Sequence, residues 1–310
     1  MTQRIHCATI MVNPLARGVA RRFDSAATVR YLRRNGVEVD LATPVTPEEA
    51  ERTALRAAER GVDMLFVVGG DGSLRTAAGG LAGSDTALAS VPCGTANVWA
   101  KETGIPRSAR AAIDAHLAGQ VRSIDVGRAN GLPFLLMAGI GWDAAIAQRV
   151  SHSLKRRIGE GAYVIQAARA FPNLRPAMAR WHAGAMSHEG RLAIMVIGNT
   201  RLYGGLVRFT PDATADDGLL DVAAAYPPNP LALARLSGKL VAGRLAGDTA
   251  FVSARVPELV FETPGFAVQL DGDPALTTPA TFTIDRLALR VSIPRGPLPP
   301  IFSDRGDPPA

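Results

Sequence analysis

Short apolar runs that end in glycine-bearing loops recur through the first 125 residues, and this pattern restricts the fold more than any other feature. Ile5–Val12, Met64–Val68 and Ala87–Val91 are such runs, each long enough for one buried strand. A helical pattern follows each loop, so the order along the chain is strand, loop and helix. Buried strands that alternate with helices are typical of a parallel sheet covered on both faces. The sequence therefore predicts an α/β domain over residues 1–125.

Local helix signals agree with this interpretation. Thr46 and Glu49 form a capping box with Pro47 at the first helical position, so we expect a helix to begin there. Val37–Thr43 is predicted to be another strand, and the stretch before it is predicted to be one helix that ends near Asn35.

After Arg122 the pattern changes to short strands separated by turns. Asn130-Gly131 lies between two apolar runs and predicts a hairpin. Two helical stretches follow, Asp143–Ile158 and Gly161–Phe171, and the chain then shows mostly strand patterns with one helix that begins at Asn229-Pro230. We therefore expect an antiparallel β-sandwich over residues 126–293 and a proline-rich tail over residues 294–310.

Basic residues are concentrated in one segment. The chain has 34 Lys and Arg against 28 Asp and Glu, a net charge of +6. The stretch Ala144–Arg180 holds seven of the basic residues and one acid, Glu160, so the remainder is close to neutral. Such a segment suits an anionic partner, namely phospholipid, nucleic acid or phosphate, and it equally fits a solvated helix face. The seven residues are Arg149, Lys155, Arg156, Arg157, Arg169, Arg175 and Arg180.

Other sequence features exclude several classes of protein. No apolar run approaches the roughly 18 residues of a membrane-spanning helix, and Arg4 and His6 interrupt any N-terminal signal sequence. Cys7 and Cys93 provide neither a disulfide framework nor the spacing of metal ligands. We therefore expect a cytoplasmic protein.

Three loops at the ends of predicted parallel strands carry the chemistry. Gly69–Ser73, with the sequence Gly-Gly-Asp-Gly-Ser, follows one strand, Pro92–Asn97 follows the next, and Asn13-Pro14 follows the first. Glycines let backbone N–H groups approach a phosphate closely, and a helix N-terminus adds a positive dipole. Taken alone, Gly69–Ser73 also suits an ordinary strand-to-helix turn. Because ligands of open α/β sheets bind at the carboxyl ends of the strands, the three loops together predict a nucleotide phosphate site.

These loops resemble those of the diacylglycerol kinase catalytic-domain family of lipid kinases, which includes soluble bacterial diacylglycerol kinases and the sphingosine and ceramide kinases. The matching motifs keep the family's order from Asn13 to Asp273, and Gly-Gly-Asp-Gly together with Pro-x-Gly-Thr-x-Asn is the specific pair. The resemblance implies an α/β nucleotide domain and a β-sandwich lipid domain with ATP between them. The remaining motifs are Asp125-Val126-Gly127, Gly139…Gly141…Asp143-Ala144, Asp217–Asp221 and Asp271-Gly272-Asp273.

The resemblance also assigns roles to individual residues. Asp271 would be the general base that takes the proton from the lipid hydroxyl, with Asp71 as a second catalytic carboxylate. The carboxylate of Asp217 and the carbonyls of Thr214 and Leu219 would ligate Mg²⁺, and Asp71 and Asp125 would join that site through water. Asp217-Gly218 and Asp271-Gly272 also suit plain hairpin turns. The nucleotide would be held by Asn13, Thr43, Gly69, Gly70, Asp71, Gly72, Ser73, Arg75, Gly94, Thr95 and Asn97.

The chain departs from the family pattern at several positions near these loops. Val98 stands where an acid commonly follows Asn97, and Arg75 and Thr76 stand where Asn and Glu are usual. A separate motif, Gly139-x-Gly141-x-x-Ala144, matches a dinucleotide-binding fingerprint, but antiparallel strands rather than a βαβ unit are predicted around it. We therefore do not predict a dinucleotide-binding fold.

The sequence thus predicts an ATP- and Mg²⁺-dependent kinase that phosphorylates a lipid hydroxyl. Two alternatives stay open: a kinase of a soluble hydroxylated molecule such as NAD, and a nucleotide-binding protein without turnover. The expected partner is a lipid at an anionic membrane surface, reached by peripheral attachment to the inner face of the membrane through Ala144–Arg180. A homodimer is also expected. A nucleic-acid partner is not expected, because Tyr163 and Phe171 are the only stacking residues that we identify in Ala144–Arg180.

Overall fold

The chain folds into two compact units. The first comprises Met1–Val126 together with Arg286–Ala310, and the second comprises Gly127–Asp285. The end of the last strand therefore belongs to the first unit, and the sequence pattern predicts domain boundaries at residues 125 and 293. The computed structural model describes residues 5–16, 18–141, 176–205, 207–245 and 247–303. The two helices predicted between Asp143 and Phe171, and all but Arg180 of the seven basic residues, lie outside these ranges.

The first unit is built on a parallel sheet, as predicted. Its strands are β1 (Cys7–Val12), β2 (Glu38–Ala42), β3 (Met64–Gly69), β4 (Ala87–Pro92), the first part of β5 (Gln120–Ala129) and the end of β18 (Ala280–Ile293). Strands β1 to β4 pair in the order β2, β1, β3, β4, all in parallel. Its helices are α1 (Val19–Arg22), α2 (Ser25–Arg34), α3 (Pro47–Glu59), α4 (Asp71–Leu81), α5 (Val98–Thr103) and α6 (Ala109–Leu117).

Local capping chemistry sets the starts of α2 and α3. The Thr46 side chain accepts a hydrogen bond from the Glu49 amide (3.2 Å), which confirms the predicted start of α3. The predicted single helix before Asn35 is wrong, because the chain forms α1 and then α2. The Asp24 carboxylate accepts from the Ala27 amide (2.9 Å) and starts α2 anew.

The second unit is an antiparallel sandwich. Its strands are the end of β5, β6 (Leu132–Phe134), β7 (Met137–Gly141), β8 (Ala177–Ala183), β9 (Met186–Leu192), β10 (Ile194–Gly198), β11 (Leu202–Tyr203), β12 (Val207–Arg208), β13 (Leu220–Ala225), β14 (Phe251–Val256), β15 (Glu258–Phe261), β16 (Ala267–Leu270), β17 (Asp273–Thr277) and the start of β18 (Ala280–Ile293). Among the described residues of this unit, α7 (Pro230–Val241) is helical and begins at the predicted cap Asn229. Trp181, Phe261 and Phe282 from one sheet share a core with Leu220 and Leu270 from the other.

Pairing within the sandwich explains two sequence motifs. One sheet has the order β14, β13, β10, β7, β16, β17, with every pairing antiparallel. Gly139 and Gly141 lie in β7, within that sheet, so they do not form the strand-to-helix turn of a dinucleotide-binding fold. Asn130-Gly131 makes the predicted hairpin between β5 and β6, where Ala129 pairs with Leu132. None of the helices in the described ranges has the length and apolar character needed to cross a bilayer.

Candidate functional site

The loop after β1 and the start of α4 are joined through Asn13. Its backbone amide donates to the carbonyl of Val68 (3.0 Å), which fixes the loop at the end of β3. Its side-chain amide donates to the Ser73 hydroxyl (2.9 Å), and its side-chain oxygen accepts from the Leu15 amide (2.9 Å). Two of the residues predicted to hold the nucleotide therefore contact each other.

The loops after β3 and β4 approach each other backbone to backbone. The amides of Cys93 and Gly94 both donate to the Gly69 carbonyl, at 2.8 and 2.9 Å. A Cβ atom at Gly94 would lie 2.4 Å from the Cα atom of Gly70, and one at Gly69 would lie 2.6 Å from the Ser73 hydroxyl oxygen. Only glycine fits these positions. The result is a glycine-lined cradle at the carboxyl edge of the sheet, of the kind that admits a phosphate.

Asp71 connects the cradle to α5. Its two carboxylate oxygens accept hydrogen bonds from the amides of Val98 (3.0 Å) and Trp99 (3.1 Å), the first residues of that helix. Burial raises the pKa of Asp71, while these amides and Lys101 oppose the rise. The carboxylate thus supplies the helix cap that Asn97, in a left-handed conformation (φ 48°), does not provide. Val98 is itself buried at 5% exposure.

The other predicted nucleotide residues lie along the same edge of the sheet. Thr95 is exposed in the loop after β4, and Asn97 accepts from the Gly94 amide (2.9 Å) through its side-chain oxygen. Thr43 follows β2 and lines a shallow depression of about 340 Å³ with Arg52 and Arg56. Gly72 and Arg75 lie on α4. Their contacts with a nucleotide stay predictions.

Asp125 has a buried position in the first unit. It lies in β5 with no exposed surface (0%), and one carboxylate oxygen accepts from the Leu287 amide at 2.7 Å. Leu287 has a left-handed backbone conformation (φ 50°), which the hydrogen bond helps to hold. The predicted link of Asp125 to a metal through water stays a prediction.

Asp271 anchors a neighbouring turn in the second unit. Asp271-Gly272 forms the two-residue turn between β16 and β17, with φ values of 52° and 89°. The Asp271 carboxylate accepts hydrogen bonds from three consecutive amides, those of Leu135 (2.8 Å), Leu136 (2.8 Å) and Met137 (2.9 Å). Three N–H donors stabilise its negative charge and fix its orientation. Asp271-Gly272 therefore forms a plain hairpin turn, and the same turn holds the Asp271 carboxylate in a fixed orientation.

Asp217 lies in an acidic cluster with Asp212 and Asp221, beside a cation that the sequence analysis did not identify. One carboxylate oxygen of Asp217 accepts from the Leu219 amide (2.9 Å), and the other accepts from the guanidinium of Arg255. Arg255 also lies 3.5 Å from the carboxylate of Asp221. Burial raises the pKa of Asp221 to about 6, an effect that Arg255 opposes and that Asp217 and Asp212 reinforce.

This cluster fits a hard divalent cation in its chemistry. The predicted ligands are a carboxylate from Asp217 and the carbonyl oxygens of Thr214 and Leu219, and oxygen donors with several waters are what Mg²⁺ prefers. The side chain of Asp221 is 9% exposed and one of its oxygens is buried without a hydrogen-bond partner among the described residues. A nearby cation therefore stabilises the negative charge of this cluster, and in this structure that cation is the Arg255 guanidinium.

The structure contains contacts of the candidate site residues that sequence reasoning missed. Arg255 lies 38 residues from Asp217 along the chain, and the amides that hold Asp271 lie 134 to 136 residues away. No local sequence motif identifies Arg255 or the amides that bind Asp271. Asp221 belongs to the Asp217–Asp221 motif, so the sequence indicates its place beside Asp217. The sequence does not indicate that Asp221 is buried.

Comparison with known proteins covers almost the whole described chain. Residues 7–129 match the family described as the diacylglycerol kinase catalytic domain. Residues 137–293 match the family described as the YegS C-terminal NAD kinase beta sandwich-like domain. The two matches correspond closely to the parallel-sheet unit and the sandwich.

Individual relatives agree with these matches. A probable lipid kinase YegS-like protein of Pseudomonas aeruginosa is 37% identical over 262 residues, 83% of this chain and 86% of the relative. A diacylglycerol kinase of Mycobacterium tuberculosis is 32% identical over 295 residues, 93% of this chain and 95% of the relative. A crystal structure of a putative diacylglycerol kinase from Bacillus anthracis has the same fold, with a TM-score of 0.76 and 22% identity over 94% of this chain and 98% of that one. The chain therefore belongs to the diacylglycerol kinase catalytic-domain family of phosphotransferases.

Proposed function

We propose that the protein transfers the γ-phosphoryl group of ATP to the hydroxyl of a lipid in a reaction that requires Mg²⁺. The observation that carries the proposal is the glycine cradle, in which Gly69, Gly70 and Gly94 bring two backbone segments into contact at the edge of a parallel sheet. The names of the relatives, lipid kinase and diacylglycerol kinase, support a lipid as the acceptor.

Nucleotide binding is assigned to the first unit. Backbone amides around Gly69–Ser73 and the N-terminus of α4 would receive the phosphates, because that helix N-terminus carries no side-chain cap of its own. Asp71 keeps α5 and the second loop in place through the amides of Val98 and Trp99. Its contribution in this proposal is therefore to position the loop after β4.

Acceptor activation is assigned to Asp271. A general base must be ionised and correctly oriented, and the amides of Leu135, Leu136 and Met137 provide both conditions. In the proposal, the Asp271 carboxylate takes the proton of the acceptor hydroxyl as that oxygen attacks the γ-phosphorus. The bond from the γ-phosphorus to the bridging oxygen of ADP then breaks, which leaves ADP and a phosphorylated lipid.

Mg²⁺ is assigned to Asp217 with the carbonyl oxygens of Thr214 and Leu219. A bound divalent cation neutralises charge that develops on the phosphates in reactions of this kind. For Asp217 to bind it with the oxygen that now faces Arg255, the guanidinium must move away. Asp221, only 3.5 Å from Arg255, offers the guanidinium an alternative partner.

One observation supports a different acceptor. The second unit matches a family described as NAD kinase beta sandwich-like, so a soluble hydroxylated molecule such as NAD is the second candidate. A nucleotide-binding protein without turnover is the third candidate, because Val98 and Arg75 depart from the family pattern.

Acceptor choice separates these candidates. Purified protein is incubated with radiolabelled ATP and, in separate reactions, diacylglycerol, ceramide, sphingosine or NAD, with Mg²⁺ or with EDTA. We expect label in a lipid product and only with Mg²⁺. Label in NAD alone would favour the soluble acceptor, and nucleotide binding without any labelled product would contradict the proposal.

Membrane attachment belongs to the same proposal. An enzyme that phosphorylates a lipid must reach a headgroup, and the basic segment Ala144–Arg180 carries charge that suits an anionic membrane surface. We assign the protein to the inner face of the membrane as a peripheral protein.

A further inference from the structure

β9 lies at the edge of its sheet. In the ranges that the structure describes, this strand of seven residues, Met186–Leu192, pairs with β8 on one side and has no strand on the other. An edge of this kind presents backbone N–H and C=O groups to any strand that can approach it. What can pair there depends on which residues face the edge.

The hairpin register identifies the residues whose backbone groups face outward. Ala183 and Met186 flank a two-residue turn and are paired, so they form the hydrogen-bonded pair that closes the hairpin. Hydrogen-bonded and non-hydrogen-bonded pairs alternate along antiparallel strands. The backbone groups of Ser187, Glu189 and Arg191 therefore point away from β8.

The side chains of the same three residues lie on the exposed face of the sheet. Glu189 is already ordered there, because Arg180 of β8 donates to one of its carboxylate oxygens at 3.0 and 2.6 Å. Arg191 donates to the carbonyl of Pro176 (3.2 Å) and is exposed. The edge thus carries one negative and one positive side chain, two residues apart, on one face.

We propose that a second copy of this chain pairs with β9 in the antiparallel direction, about a two-fold axis through Gly190. In this register, Glu189 of each copy lies opposite Arg191 of the other, and these are positions whose backbone groups can complete hydrogen bonds across the edge. A two-fold interface forms each such pair twice. Opposite charges on facing positions of an antiparallel pair stabilise it.

The alternative register shows why the charges select this one. Shifting the axis to Glu189 would place the two glutamates opposite each other, which is unfavourable. An axis at Gly190 avoids this repulsion, because each Glu189 then lies opposite an Arg191 of the other copy. An uncharged strand from another protein would leave Glu189 and Arg191 without counter-charges across the edge, so a second copy is the better occupant.

Charge reversal tests the proposal. Sedimentation velocity from about 1 µM to about 500 µM should show the wild type dimerising toward twice its 32.6 kDa mass. Glu189→Arg or Arg191→Glu each place like charges opposite each other twice, and either should weaken dimerisation by roughly 30-fold. The double variant Glu189→Arg with Arg191→Glu restores opposite charges and should dimerise like the wild type. An equimolar mixture of the two single variants should form a heterodimer.

Controls separate pairing between copies from effects within one chain. Arg180→Gln removes the contact of Arg180 with Glu189 inside the chain and leaves the proposed contacts between copies unchanged, so it should not weaken dimerisation. Circular dichroism checks that each variant is folded. A monomeric wild type over the whole concentration range, or a dimer that survives both single reversals, would overturn the proposal. The proposal would also be overturned if neither the mixture nor the double variant regained dimerisation.

Discussion

Two glycines in the first unit control how closely the loops of the cradle approach. A methyl group at Gly94 would lie 2.4 Å from the Cα atom of Gly70 and 2.8 Å from the Asn97 side-chain oxygen. We expect Gly94→Ala to push the loops apart and to lower ATP affinity by at least about tenfold. Isothermal titration calorimetry with ATP measures the effect.

Gly238→Ala is the matched control for this substitution. Gly238 lies in α7 and a Cβ atom there would have open space, so ATP affinity should not change. Equal ATP affinity for Gly94→Ala and the wild type would show that the close approach of the loops is not needed.

Asp271 combines a structural and a chemical role, and its substitution should reveal both. Asparagine replaces one carboxylate oxygen by an NH₂ group that would face the N–H donors of Leu135 or of Leu136 and Met137. We expect Asp271→Asn to lower the free energy of unfolding by about 1–3 kcal/mol. It should also lower phosphoryl transfer by about 10²–10⁴-fold. Denaturant unfolding and the radiolabel assay measure the two effects.

Asp63 supplies the control for that experiment. Its carboxylate also accepts backbone hydrogen bonds, from His6 (2.7 Å) and Cys7 (3.0 Å), but it is not among the predicted site residues. Both amides donate to one oxygen of Asp63, whose place the asparagine oxygen can take, so Asp63→Asn should cost less stability and keep activity. If Asp271→Asn retained transfer at the level of Asp63→Asn, Asp271 would not be the base.

Arg255 should oppose cation binding at Asp217, because its guanidinium faces one carboxylate oxygen of that residue. We expect Arg255→Gln to lower the dissociation constant for Mg²⁺ by about tenfold, since one competing charge is removed. Calorimetric titration with Mg²⁺ and the Mg²⁺-induced shift of the melting temperature measure it. Arg244→Gln removes the same charge from another exposed position in the unit, and an equal gain in that variant would contradict the specific role of Arg255.

At the scale of helices and strands, the sequence was most informative where the chemistry is local. The start of α3 at Thr46 and the hairpin at Asn130-Gly131 depend on residues within a few positions of one another, and both predictions are confirmed. Asp24 is also a good cap, but its signal was overlooked within an apparently continuous helical stretch. Contacts such as those of Asp271 with Leu135 join distant segments, and no local spacing encodes them.

His116 shows how one buried side chain joins several elements of the first unit. Its ring lies in α6, with one nitrogen 2.8 Å from the Ser90 carbonyl of β4 and the other 2.9 Å from the Ser292 hydroxyl of β18. Burial lowers the pKa of His116 from 6.5 to about 4. The neutral ring is therefore favoured in the folded state, and the unfolded state binds the proton first as the pH falls.

This difference predicts a pH dependence of stability. Protonation of His116 in the unfolded state should remove about 3 kcal/mol of stability as the pH falls from 6.5 to about 4. His116→Gln lacks the titrating group, so the stability gap between wild type and variant should change by that amount across this window. Urea unfolding at several pH values measures it, and a gap independent of pH would show that the ring is not held neutral.

At the scale of the whole chain, the two units are not consecutive in sequence. The chain leaves the first unit along β5 and returns along β18, a strand of 14 residues that contributes to both units. The sequence division at residue 293 places the whole of β18 with the sandwich, as does the family match over residues 137–293. Part of the proline-rich tail also belongs to the first unit, where Ile301 and Phe302 are buried at 0% and 6% exposure.

Charge distribution along the chain gives the last prediction, which concerns attachment to the membrane. The net charge of +6 resides in Ala144–Arg180, and each Lys or Arg near an anionic leaflet contributes about 1 kcal/mol. Neutralising Lys155, Arg156 and Arg157 to glutamine should therefore weaken binding to phosphatidylglycerol vesicles by roughly 150-fold at low salt. Activity on vesicle-embedded lipid should fall with it, while activity on a short-chain soluble acceptor should be unchanged. Co-sedimentation with vesicles measures the binding.

A second triple variant shows whether the position of the charge matters. Arg30, Arg34 and Arg107 are exposed in the first unit, and their change to glutamine lowers the net charge equally. Vesicle binding by this variant should stay close to that of the wild type. Raising the salt from about 0.1 M to about 1 M shortens the Debye length from about 10 Å to about 3 Å, so binding by the wild type should weaken strongly. Equal binding by both triple variants at low salt would show that Lys155, Arg156 and Arg157 are not the attachment surface.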